Sequence, residues 1–323
     1  MTLRLPGQWV WDSWYAKDGN THHAFYLQAS RALLDPNRRH WNTSVGHAIS
    51  LDLRDWKVLP DAIAPSESPA FDSWTTWTGS VIKHEDTWYM FYTGTSREDA
   101  HARQSVGLAT STDLITWTKH VPESGAGHPL VAADPRWYHT LAGGFALEPF
   151  RDPWVFRFTD EQGIPHGDWH MLVTASSVES RTGNQDAVMG HATSKDLLHW
   201  EVQPPLSTPN QGFGETEVFQ FEVVDGVPIV LFCCGPIWLS QSRLDAGERG
   251  GVYSLPASPD LTGLDFNRAV LFDAPGLYAS RLVRDESGWN LIGFWDAPEG
   301  KFVGELSDPI PVTAHPELGL IRR

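Results

Sequence analysis

Three carboxylates stand in separate stretches of this chain, each inside an aromatic, β-branched run of the kind that normally belongs in a core. They are Asp12 in Trp9-Val-Trp-Asp-Ser-Trp14, Asp152 in Phe150-Arg-Asp-Pro-Trp-Val-Phe156, and Glu217 in Gly214-Glu-Thr-Glu-Val-Phe-Gln-Phe221. Burying an ionised carboxylate without compensation costs several kcal/mol. A fold that gathers such groups at one point is building a site for acid, base or nucleophile chemistry. Cleavage of a sugar bond is the reaction that most often calls for it. Glu215 lies two residues before Glu217. On a strand the two share a face, so either could reach the centre.

Recurring elements are available to hold these groups. Ser50-Leu-Asp-Leu-Arg-Asp-Trp56 returns as Ser111-Thr-Asp-Leu-Ile-Thr-Trp117 and as Ser194-Lys-Asp-Leu-Leu-His-Trp200, with a degraded copy at Ser258-Pro-Asp-Leu-Thr-Gly-Leu264. The copies recur at intervals of roughly 60 to 85 residues, which fits a propeller blade with loop insertions. Ser and Asp suit a tight turn, and Trp can wedge between neighbouring sheets. Five aromatic or apolar runs read as the central strands of five units: His23–Gln28, Thr87–Tyr92, Asp168–Val173, Pro228–Cys233 and Trp289–Trp295. Helical periodicity is weak throughout. The expected fold is all-β, a single five-bladed β-propeller over residues 1–323.

Composition agrees with short strands and many turns. The 323 residues include 16 Trp, 28 Gly and 23 Pro. A formal net charge of −16 argues against nucleic acid or an anionic membrane as partner, whereas a neutral carbohydrate meets no repulsion. No apolar run is long enough to span a bilayer, and the first residues do not read as a secretory signal. The only cysteines, Cys233 and Cys234, are adjacent. No disulfide framework is expected, and a cytoplasmic location follows from that. The 14 histidines show no metal-ligand spacing, and no nucleotide-binding loop is present, so no cofactor or metal is expected.

In their order along the chain these motifs resemble the fructoside-acting five-bladed propellers of glycoside hydrolase families 32 and 68. Val10-Trp-Asp-Ser-Trp14 looks like the family 68 nucleophile motif. Trp77-Thr-Gly-Ser80 looks like the Trp/Phe-Ser-Gly-Ser motif of both families, and Phe150-Arg-Asp-Pro153 matches their Arg-Asp-Pro motif. Glu215-Thr-Glu217 resembles the Glu-x-Glu of family 68. Gly46-His-Ala-Ile-Ser-Leu-Asp-Leu53 and Phe272-Asp-Ala-Pro-Gly-Leu-Tyr-Ala-Ser280 look like family 32 segments. Around Asp12 and Glu217 the flanking residues differ from the family 32 pattern, and the C-terminal β-sandwich common in that family is not expected here. A surface that larger relatives cover would then be open to self-association, so a homo-oligomer is an expectation.

The resemblance implies a retaining fructosidase or fructosyltransferase that works through a covalent fructosyl-enzyme. Asp12 is then the nucleophile, Asp152 the transition-state stabiliser and Glu217 the acid/base, with Glu215 the competing candidate. Retention needs the two reacting carboxyls roughly 5–5.5 Å apart. Trp11, Gln28, Trp77, Thr78, Arg151, Glu215 and Tyr278 are the expected substrate contacts, with Trp14 a further candidate wall. Crowding by Phe219, Phe221 and neighbouring carboxylates is expected to keep Glu217 protonated. Strand alternation places Glu222 on the face opposite Glu217, in solvent. Two other readings stay open: an inverting arabinoside- or xyloside-cleaving propeller, and a non-catalytic sugar-binding propeller.

Overall fold

Two-residue hairpins set the frame of the structure, a computed structural model that describes residues 3–160, 162–180, 185–297 and 301–323. Asp225-Gly226 joins Glu217–Val224 to Val227–Cys234 with both residues at positive φ, the backbone that type I′ hairpins require. Similar tight connections follow Gln8–Asp18, Thr75–His84 and Leu277–Asp285. Among the described residues, twenty strands form five four-stranded antiparallel sheets, each from consecutive strands.

The first strands of the sheets are Gln8–Asp18, Thr75–His84, Phe150–Thr159, Glu217–Val224 and Leu277–Asp285. Each packs against the first strand of the next sheet, and the fifth packs against the first, so they ring a central axis. This is a five-bladed propeller, as expected. The aromatic runs read as central strands are the second strand of each blade, one layer out from the axis. The ring closes where Val10 N–H donates to the Gly304 carbonyl (2.9 Å) and Arg31 Nη2 to that of Val303 (3.0 Å).

The repeated phrase is a turn after the third strand. Asp52, Asp113 and Asp196 each accept backbone N–H groups from two and three residues on. Trp117 packs edge-on against Phe25 of the first blade and Trp200 against Phe91 of the second, so the Trp is an inter-blade wedge. The Leu of each copy is structural as well. Leu53, Leu114, Leu197 and Leu261 all take positive φ, a conformation costing about 1 kcal/mol, and all are buried. Burying a Leu side chain is worth about 2 kcal/mol, which outweighs that strain. Leu197→Ala is therefore expected to lower stability by about 3 kcal/mol, read as a fall in the urea midpoint at unchanged m. An unshifted midpoint would mean these leucines are not structural.

Candidate active site

Each inner strand carries one residue more than its partner, near its start. The irregularities span Val10–Ser13, Trp77–Gly79, Arg151–Trp154, Glu217–Gln220 and Tyr278–Arg281. Asp152, Val218 and Ala279 stand at positive φ within them. A bulge re-aims the side chains beside it. Here five bulges at one end of the ring turn Asp12, Thr78, Arg151 with Asp152, Glu217 and Tyr278 into a single pocket, at least one from every blade. Gly79 is required at the second bulge, because a Cβ there would lie 2.0 Å from the Phe91 carbonyl oxygen.

The pocket has a volume of about 530 Å³, within the range of small-ligand sites. Thr78 Oγ1 donates a short hydrogen bond to Asp12 Oδ2. Arg151 Nη2 donates to Glu217 Oε1 (2.8 Å) and Glu215 Oε1 (2.5 Å), while its Nε lies 3.3 Å from Asp152 Oδ2. Tyr278 OH donates to Glu217 Oε2 (2.6 Å), and Thr174 Oγ1 to Asp152 Oδ2 (3.0 Å). One guanidinium thus serves three carboxylates, Asp152, Glu215 and Glu217.

Burial pushes Asp12 up to about 6, helped by the charge of Glu217 and opposed by the Thr78 hydroxyl. Burial likewise pushes Asp152 up to about 7, with Arg151 opposing and Glu217 and Asp12 adding to it. Glu215 rises to about 7 through burial and then the charge of Glu217, against the pull of Arg151. Glu217 is the glutamate whose charge reaches Asp12.

Trp11 and Trp77 line the pocket, as does Tyr278. Trp77 is fixed by its Nε1–H donating to the His40 carbonyl at 2.9 Å. Other expectations are corrected. Gln28 does not reach the pocket; its amide donates to Asp61 (2.7 Å) and Ser44 within the first blade. Trp14 is core, fully buried and stacked on Phe25. Phe219 and Phe221 pack among Phe232, Phe213 and Leu172 rather than around the Glu217 carboxyl, whose neighbours are Arg151 and Tyr278. Glu222 shares the face of Glu217, because the bulge shifts the alternation: Glu217, Gln220 and Glu222 oppose Cys233, Leu231 and Ile229. It is half-buried, accepts from Gln220 Nε2 and is pushed up to about 7 by burial.

Sequence reasoning missed Arg39, His40 and Gln104 in the wall. Gln104 Oε1 accepts from Arg151 Nη1 at 2.9 Å. The Arg39 guanidinium carbon lies over the Phe302 ring, 3.9 Å from its centroid. His40 is held neutral, its pKa pushed down to about 3 by burial and the nearby Arg39 and Arg151. The basic-aromatic run Arg38-Arg39-His40-Trp41 is the signal that marks this wall; Gln104 has none.

The family model of the glycosyl hydrolases family 32 N-terminal domain matches residues 14–228. An insoluble β-fructofuranosidase isoenzyme, CWINV5, of Arabidopsis thaliana is 31% identical over 204 residues, covering 62% of this chain and 31% of its own length. The vacuolar acid β-fructofuranosidase 2 of a Rosa hybrid cultivar is 25% identical over 317 residues, covering 90% and 43%. This chain thus spans less than half the length of those relatives. Among solved structures, the Bombyx mori β-fructofuranosidase BmSUC1 superposes with TM-score 0.73 at 20% identity, covering 97% of this chain and 62% of that one. A kestose-bound inulosucrase from Halalkalicoccus jeotgali gives 0.73 at 21%, covering 97% and 86%, so the propeller is common to both. With two thirds of its length under the family model, this chain belongs to glycoside hydrolase family 32.

Proposed function

We propose that this chain is a retaining glycosidase that transfers the fructosyl group of a β-D-fructofuranoside, of the sucrose or fructo-oligosaccharide type, to water or a sugar hydroxyl. The observation that carries it is Asp12, held by Thr78, facing the same pocket as Glu217, held by Arg151 and Tyr278. With Thr78 donating to Oδ2, the lone pairs of Oδ1 attack the anomeric carbon. The glycosidic C–O bond breaks and its oxygen takes the proton of Glu217. Glu217, now a base, takes a proton from water or an acceptor hydroxyl, whose oxygen attacks the anomeric carbon and releases Asp12. Asp152, beside Arg151, hydrogen-bonds ring hydroxyls and faces the developing positive charge. Trp11 and Trp77 offer flat walls to the apolar face of the ring.

A panel of sucrose, oligofructans, arabinosides and xylosides, read by product analysis, tests this. Fructose or fructosylated product from fructosides alone, with the β configuration kept in the first product, is expected. Inverted pentose as first product would replace the reading, and saturable sugar binding without any product would reduce the chain to a binding propeller.

A further inference from the structure

Beneath the pocket the axis of the ring holds a cation that the chemistry above does not use. Arg281 follows the bulge of the fifth inner strand and is 1% exposed. Among the described residues no carboxylate forms an ion pair with it. Its Nη1 donates to the carbonyls of Val218 (3.2 Å) and Phe219 (2.5 Å), and its Nη2 crosses the axis to the carbonyl of Gly79 (3.2 Å). The guanidinium also lies 5.0 Å over Trp154 of the third blade. Burying a charge without an ionic partner costs several kcal/mol, so a merely space-filling role would be better served by an apolar side chain.

The chosen carbonyls carry the argument. Gly79 follows Thr78, the residue that holds Asp12. Val218 and Phe219 follow Glu217 and form its bulge. One rigid fork therefore ties the backbone behind Thr78, the hydrogen-bond donor to the proposed nucleophile, to the backbone behind the proposed acid/base, through two blades that are not neighbours in the ring. Arginine suits this task because its donors lie in a fixed plane, which the ammonium of lysine lacks.

We propose that Arg281 is a positioning residue that fixes the separation of Asp12 and Glu217 and supplies buried positive charge beneath the carboxylates; this rests on the reading of those two as the catalytic pair. The groups whose charges act on it are Asp152 of the third blade, Cys233 of the fourth, and Asp12 and Tyr15 of the first. Burial keeps the Cys233 thiol and the Tyr15 hydroxyl protonated, so the carboxylates are the groups that feel the loss of its charge.

Arg281→Lys and Arg281→Met test this, with folding followed by circular dichroism and thermal unfolding. Lysine keeps the charge but cannot span the three carbonyls. Its kcat is expected to fall about 10-fold, with KM little changed and the acid limb of the pH–rate profile where it was. Methionine loses both functions. Its kcat should fall about 100-fold, with the acid limb moved up by about one pH unit. A folded Arg281→Met protein with wild-type kcat and acid limb overturns the inference, and so does a loss confined to KM. If the methionine variant does not fold, Arg281→Lys decides alone, and unchanged kcat there overturns it. Wild-type protein that cleaves no fructoside would sink the catalytic-pair reading and this inference with it. Active wild type with unaffected variants sinks only the role of Arg281.

Discussion

Asp12→Asn is expected to lower kcat on fructosides by about 10⁵-fold and at the same time to raise the melting temperature at neutral pH. The first effect follows from chemistry, since an amide oxygen cannot form the glycosyl ester. The second follows from linkage. Burial raises the Asp12 pKa from an ordinary value of 3.8 to about 6, so the folded state binds that proton more tightly than the unfolded chain. Its ionised form is thus penalised in the fold above about pH 6, and the penalty disappears as pH falls below the unfolded value. Asn keeps the shape and can still accept from Thr78 Oγ1 without the charge. A gain of about 1–2 kcal/mol at pH 7–8, fading towards pH 4, is expected. Steady-state kinetics and melting curves at several pH values check both halves. Turnover within about 100-fold of wild type would remove Asp12 from the nucleophile role. A melting temperature lowered at pH 7 would mean the carboxylate is held for the stability of the fold.

How much of this was legible beforehand depended on whether the cue was local. The turn phrase could be read because its Ser and Asp act within a few residues, and its copies marked the blades. Asp12, Asp152 and Glu217 were legible as a set because core-like surroundings are an odd place for a carboxylate. The bulges were not legible. An inserted residue leaves no signature in hydrophobic alternation, yet it reverses every facing beyond it. That is why Glu222 lies on the face of Glu217, and why Phe219 and Phe221 turn into the core between the third and fourth blades. Trp14 and Trp11 flank Asp12 at distances of two and one, and the same irregularity sends Trp14 to the core and Trp11 to the pocket. Gln28 failed for a different reason: it found acceptors within its own blade, in Asp61 and Ser44. Arg39 and His40 come from the connection between two strands, where periodicity has nothing to say.

Glu217→Gln is expected to lower kcat by about 10³-fold and to erase the basic limb of the pH–rate profile. In the proposed mechanism two groups bound the wild-type profile. Asp12 must be ionised to attack, so the rate rises as pH passes upward through about 6. The acid/base must hold a proton to give to the leaving oxygen, so the rate falls again at higher pH. The profile is therefore a bell. Glu215→Gln separates the two glutamates. Arg151 Nη2 serves both, but Tyr278 donates to Glu217, and it is the charge of Glu217 that acts on Asp12. Losing Glu215 removes a like charge from its neighbour while leaving the proton donor in place. That variant should lose only about 10-fold in kcat and keep a basic limb. The reverse pattern, with Glu215→Gln crippled and without a basic limb while Glu217→Gln is mild, would move the acid/base role to Glu215 and leave Glu217 as the hydroxyl-binding partner.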